Sequence, residues 1–379
     1  MWNDVLHTPS IHSGEAWKGA CLRVSRSRYP DQKGHLARSR RAAVVPEVFI
    51  ENGTKLMVES VLQDVSEGQV ERLEICICSI PSTIDVALLA KAITKVKDCL
   101  VCGGQPGQLE AIFGAVVEGP DIVIKTLHLR SPNVAQVSPY ILGPAAVKLT
   151  SLEISGGGGY PTSEQIVEIL TRLASTQGSK LRSLNVCYDK INISHISPVT
   201  VADALLKLKN LDHHLYRLVL SRDQTSYLLT KIKDTEDLGS TQLDLGQLDI
   251  SKVASDVVTG AVTNLEMMTI GREITLAQLE AIFTRIKFGG SKLWEITLLS
   301  ADLSDVSPEA LLGALRMLES VTFNGAVLTA VQVSAILTMV NEGSQGKLME
   351  LSIVEPEVEE DARDLLEAAE VNDILHIVF

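Results

Sequence analysis

The sequence predicts an α/β repeat array in which short strands alternate with helices from about residue 45 to the C-terminus. Three observations predict it. The hexapeptide QLEAIF occurs twice, at Gln108–Phe113 and at Gln278–Phe283. An L-x-x-L-x-L-like pattern, with Ile, Val, Phe or Cys allowed, recurs at a mean step of about 28 residues. Recognisable helix starts fall between the recurrences. Such arrays stack like units and mostly offer binding surfaces, which sets the expectation of a non-enzymatic protein.

The strand segments come first. Their central apolar residues are Leu73, Cys99, Leu127, Leu152, Leu184, Leu218, Leu248, Met268, Ile296, Val321, Leu351 and Ile377, with Val48 as a weaker member. This ladder counts about twelve repeats. Inside each segment apolar residues alternate with polar ones, as Leu184 and Val186 do with Ser183 and Asn185. Period two marks a strand with one buried face.

The helix starts are of two kinds. Thr162, Thr275 and Thr329 are followed three residues later by Gln165, Gln278 and Gln332. This is capping-box spacing: the hydroxyl accepts from an orphan helix amide and the Gln reaches back to the cap. Leu279, Ile282 and Phe283 then fall on one helical face. The second kind is Ser-Pro, at Ser138-Pro139, Ser197-Pro198 and Ser307-Pro308, where Pro occupies a first helical position whose amide would be unpaired anyway. Gln108, Gln165, Gln278 and Gln332 lie 57, 113 and 54 residues apart, so the unit is a duplicated strand–helix–strand–helix. A Gly followed shortly by Lys-Leu closes the Gln-type helices at Gly178, Gly290 and Gly346, each Leu opening the next strand. Residues 221–244 give no clean helix.

These residues resemble the leucine-rich repeat superfamily, and within it the ribonuclease-inhibitor-like branch, whose longer repeats alternate in pairs. NOD-like receptors carry similar arrays. The resemblance covers residues 45–379. It implies a solenoid shaped as a horseshoe, with a concave parallel β-sheet and helices on the convex side. The family usually bonds the turn backbone with Asn or Cys three residues after the last strand Leu. Here those sites hold Gly157, Asp189, Asp223, Ala301, Ala326 and Pro356, so the array is divergent.

Composition fits an array. The chain is 45% hydrophobic but only 4% aromatic, so its core is built from small aliphatic layers. No apolar run is long enough to span a bilayer, and no compact apolar segment near the N-terminus suggests a secretory signal. A cytoplasmic protein with reduced cysteines is expected. Cys76, Cys78, Cys99 and Cys102 include a zinc-ligand spacing, but Cys99 is required by the core, so the cysteines read as small hydrophobes and no metal is expected. Charge divides unevenly: residues 1–45 carry a net of +5, leaving −18 for the rest. Residues 1–44 therefore read as a basic, disordered leader, and residues 45–379 as the array. The acidic stretch Glu355–Asp364 enters a last helix at Glu359–Ala369 and reads as a solvated capping repeat.

Catalytic and cofactor motifs are weak. Gly156–Gly159 precede a helix, but no Lys-Ser or Lys-Thr follows, so a loose turn is the better reading than a phosphate cradle. His213 and His214 read as turn residues, and no metalloprotease or nucleophile-elbow motif appears. No cofactor is expected.

The outward strand positions are the informative set. They present Glu74, Asp98, His128, Arg130, Glu153, Asn185, Arg217, Asp249, Glu295, Thr322 and Glu350 as candidate partner contacts. Small polar residues such as Thr126, Ser151 and Ser183 lie between them. With Arg72 beside Glu74 also facing outward, six acids stand against three Arg, which points to a mildly acidic surface for a basic protein partner. Three readings follow: a protein-interaction scaffold or adaptor; a regulator of a small GTPase, for which Arg130 is the obvious candidate; and a ligand-sensing array of an innate-immune-type receptor. Weak nucleic-acid binding is expected only from the basic leader.

Overall fold

The computed structural model describes residues 22–23, 45–50, 54–68, 70–77, 83–119, 122–130, 132–156, 159–186, 191–208, 218–235, 242–246, 248–343, 346–358, 360–369 and 374–378. The chain forms two compact units, Met1–Asp189 and Lys190–Phe379. Of the basic leader only Leu22–Arg23 (β1) are described; they pair antiparallel with Val45–Ile50 (β2). The expected disorder of its remaining residues lies outside the described ones.

In the first unit, β2 continues into a parallel sheet with Val70–Cys76 (β3), Asp98–Cys102 (β4), Thr126–Arg130 (β5), Ser151–Ser155 (β6) and Ser183–Val186 (β7). The central residues Val48, Leu73, Cys99, Leu127, Leu152 and Leu184 face one another across successive strands, as the apolar ladder predicts. Helices Lys55–Glu67, Val86–Thr94, Pro106–Glu118, Pro139–Ala146 and Ser163–Ser175 follow the strands, alternately long and short. Consecutive helices pack on each other.

In the second unit the sheet contains Gln242–Leu245 (β10), Met267–Ile270 (β11), Glu295–Leu299 (β12), Ser320–Asn324 (β13), Glu350–Val354 (β15) and Leu375–Val378 (β17), all parallel. A second tier of two-residue strands runs just beyond the main ones. Ile191–Asn192 (β8) pairs with Leu218–Val219 (β9), and Val327–Leu328 (β14) with Glu357–Val358 (β16). The helices are Pro198–Leu205, Arg222–Asp234, Ser255–Thr263, Leu276–Lys287, Pro308–Leu315, Ala330–Asn341 and Glu360–Glu367.

Three rungs of the ladder are corrected. Leu218 belongs to the second tier rather than to a main strand. Leu243, not Leu248, faces Met268, and Leu248 is buried in the turn beyond β10. The segment LDLGQLDI reads as a strand in two frames. Gly246 ends the strand in the first frame, because the chain passes so close that a Cβ on Gly271 would lie 2.1 Å from the Gly246 carbonyl oxygen. Leu375, not Ile377, faces Leu351; period two permits either, and register decides.

The helix starts match the spacing. Thr162, Thr275 and Thr329 accept from the amides of Gln165, Gln278 and Gln332, and the three Ser-Pro pairs begin helices with Pro in the first turn. The irregular stretch after 221 is in fact a helix of the same kind, with Ser221 as cap and Gln224 as its partner. Its Ser cap and charged first turn hid it. With Gln224 in place the glutamines step by 57, 59, 54 and 54 residues, one double repeat each. At the closing turns Gly178 and Gly346 take positive φ, while Gly289 rather than Gly290 does so in the third copy. Leu181, Leu293 and Leu348 are buried just ahead of their strands instead of opening them.

Gln165, Gln224, Gln278 and Gln332 do more than cap. Each is buried, and each donates both amide protons to two carbonyls of the preceding repeat's turn. Gln165 Nε2 reaches Val134 O at 2.7 Å and Val137 O at 2.6 Å; Gln224 reaches Ile193 O and Ile196 O, both at 2.8 Å. Gln278 reaches Ile250 O at 2.8 Å and Val253 O at 2.7 Å; Gln332 reaches Leu303 O at 2.6 Å and Val306 O at 2.8 Å. Each Oε1 accepts the amide of its own cap residue. One side chain thus satisfies three backbone groups from two repeats, the accounting a buried turn requires.

The clasped turns share a sequence: Asn133-Val-Ala-Gln-Val-Ser-Pro, Asn192-Ile-Ser-His-Ile-Ser-Pro, Asp249-Ile-Ser-Lys-Val-Ala-Ser and Asp302-Leu-Ser-Asp-Val-Ser-Pro. In the last three the leading Asn or Asp accepts the amide two residues on. The hydroxyls of Ser251 and Ser304 bond the same carboxylates and hold Asp249 and Asp302 below the usual carboxylate range. Gly159, the last glycine of the run before the helix at Ser163, is also a packing feature: its carbonyl accepts the Val134 amide, and a Cβ there would meet Asn133 Oδ1 at 2.7 Å. Phe113 and Phe283, which end the two QLEAIF copies, are both fully buried.

Candidate functional site: the outward sheet faces

Along every main strand the residues flanking the buried ones point away from the core, so each sheet presents rungs of side chains at matched register. In the first unit one rung runs Arg72, Asp98, Thr126, Ser151, Ser183, and the next Glu74, Leu100, His128, Glu153, Asn185. A third holds Cys76, Cys102, Arg130 and Ser155. Charge on this face is mixed. His128 Nδ1 lies 2.8 Å from Glu153 Oε2, so Glu153 is already partnered across the strands. Asp98 and Arg130 are exposed, whereas Glu74 and Asn185 are half-buried.

In the second unit the first rung is Gln242, Met267, Glu295, Ser320, Glu350, and the second Asp244, Thr269, Thr297, Thr322, Ser352, His376. No Lys or Arg occupies either rung among the described residues. Glu295 and Glu350 share a rung with only Ser320 between them. Partial burial and then the like charge of Glu350 push the Glu295 carboxyl above its ordinary value.

Of the sequence candidates, Asp249 is off the sheet: it belongs to the turn beyond β10, where its carboxylate is spent on Ser251. The frame shift from Leu248 to Leu243 explains the misplacement and puts Asp244 on the face instead. Arg217 lies outside the described residues, as do Cys78, Cys187, His213 and His214. The apolar outward residues Leu100 and Met267, each next to a core residue of the ladder, were not among the sequence candidates. Cys99 is in the core as expected, and burial pushes its thiol strongly up. Among the described residues no three His, Cys, Asp or Glu are grouped to hold a metal, and no helix is long and apolar enough to cross a membrane.

A raised carboxylate has a definite pH signature. The folded state binds the Glu295 proton more tightly than the unfolded chain does. Its contribution is therefore most favourable below the unfolded pKa of about 4.3 and declines as pH rises through the folded value. Glu295→Gln should raise the thermal midpoint slightly at pH 7, with the gain vanishing below about pH 4. A gain independent of pH would remove the electrostatic explanation.

The parallel strand–helix repeats of both units fit a leucine-rich-repeat-type solenoid protein. The chain matches no protein-family model and no curated protein. Among solved structures it is similar to the crystal structure of the yeast Rad7 and Elc1 complex, at 12% identity over 89% of this chain and 81% of the other, with a TM-score of 0.39. It is also similar to a protein from Bacteroides fragilis, at 12% identity over 87% and 73% of the two chains, with a TM-score of 0.26.

Proposed function

We propose that this protein is a non-enzymatic, cytoplasmic interaction scaffold of the ribonuclease-inhibitor-like type, which binds a basic protein partner on the outward sheet face of residues 242–378. One observation carries this reading. Asp244, Glu295 and Glu350 lie on two rungs that hold no Lys or Arg among the described residues, and Glu295 sits where partial burial and then the like charge of Glu350 disfavour its ionisation. A cationic side chain seated on this rung would relieve that repulsion and gain a charge-assisted hydrogen bond. The Thr and Ser residues between the acids leave the strands open to approach.

The test is capture of partners by the intact chain and by Glu295→Lys/Glu350→Lys, with both folds checked by circular dichroism. Partners retained by the first and weakened roughly tenfold or more by the second support the reading. Identical partner sets would move the contact to helices, loops or leader. A second reading, a small-GTPase regulator, draws on Arg130, exposed at the end of β5. Unchanged GTPase turnover in the presence of this protein would discard it.

A further inference from the structure

The third rung of the first unit places two thiols side by side. Cys76 ends β3, Cys102 ends β4, and the two residues are direct register partners on the same, half-exposed side of the sheet. Paired strands run about 4.8 Å apart, and Cα atoms about 4.4–6.8 Å apart can be bridged by a disulfide. Both residues lie at strand ends, and Cys102 is followed by Gly103 and Gly104, both at positive φ. The backbone there can give the small adjustment that brings the two Cβ atoms into bonding range. We infer that Cys76 and Cys102 are a modification site: a dithiol that a low-molecular-weight disulfide oxidises to a cross-strand disulfide, linking two successive repeats.

The chemistry is thiol–disulfide exchange. One of the two thiolates attacks a sulfur of glutathione disulfide, forming a mixed disulfide and releasing one glutathione. The neighbouring thiolate then attacks the protein sulfur of that mixed disulfide, forming the Cys76–Cys102 bond and releasing the second glutathione. Two thiol protons end on the two glutathione molecules, and the oxidant takes up both electrons. Cys99, three residues before Cys102 on the same strand, takes no part. It points into the core at 1% exposure, and burial holds it as the unreactive thiol.

The experiment uses the full folded chain. It is incubated with glutathione disulfide, blocked with an alkylating agent, digested and mapped by mass spectrometry, with the linkage assigned residue by residue from fragment ions. The expected product is a Cys76–Cys102 cross-link that dithiothreitol reverses. Cys102→Ser should instead trap glutathione on Cys76, and Cys76→Ser should trap it on Cys102, because the resolving thiol is gone. Cys78, two residues from Cys76, supplies the control: Cys78→Ser should form the cross-link as fully as the unaltered chain. Separately alkylated Cys76 and Cys102 at every oxidant ratio, or a cross-link from either one to Cys78, would overturn the inference.

Discussion

Gln278→Met should lower the thermal midpoint of the second unit by roughly 6–12 °C. Met matches the volume of Gln but carries no donor or acceptor able to replace the amide. Three backbone groups then lose their partner: the carbonyls of Ile250 and Val253 and the amide of Thr275. The two carbonyl bonds are buried, and an unsatisfied buried group costs about 1–3 kcal/mol. The loss is therefore roughly 3 kcal/mol, at about 2–4 °C per kcal/mol for a unit of this size. A companion variant isolates the chemistry. Gln278→Glu keeps the shape but aims a carboxylate at two carbonyl oxygens. It should be more damaging than Gln278→Met at pH 7 and partly rescued in acid, where the protonated carboxyl donates one of the lost bonds. Thermal melts of both variants across pH 4–7 provide the check. A midpoint unchanged by Gln278→Met would mean that neither the capping bond to Thr275 nor the two carbonyl bonds contribute to stability.

Leu184→Asp should unfold the end of the first sheet and cost roughly 3–5 kcal/mol or more, an expected fall of about 10 °C in that unit's midpoint. Leu184 is 4% exposed and faces Leu152 on β6. A carboxylate there is neither solvated nor paired, and a repeat can transmit the damage only through its neighbour. Hydrogen exchange should accordingly show lost protection first in Ser151–Ser155 and then in earlier strands. Wild-type exchange throughout that sheet would overturn the strand register given to β7.

How much of this was legible in the sequence differs by residue. The buried face of most strands was, because alternation is a local property: Leu127 and Leu129 are core whatever strand lies beside them. The Thr–Gln and Ser–Pro helix starts were legible for the same reason, since a cap and its partner lie three residues apart. The helix after Ser221 was missed although the Ser–Gln spacing was present, because its polar first turn offers little apolar signal. Asp249 was misplaced because two frames of LDLGQLDI satisfy the same pattern, and only the close passage of Gly271 over Gly246 selects one. The outward face was legible as polar and acidic. Which aspartate the second unit presents was not, since Asp244 and Asp249 exchange roles when the frame changes.

The sequence by itself determined the period, the alternation of two helix types, the core composition and the polar outward face. These follow from hydrophobic spacing and capping over a few residues, where chain connectivity fixes the geometry. Only the tertiary structure decided what faces what across repeats: Gln278 on the carbonyls of Ile250 and Val253, His128 on Glu153, Glu295 in the field of Glu350, and Cys76 beside Cys102. Such partners lie about one repeat or more apart in the chain, and the repeats differ in length. A slip in register would exchange every neighbour while leaving each strand's own pattern intact, so pairing between repeats is fixed by packing.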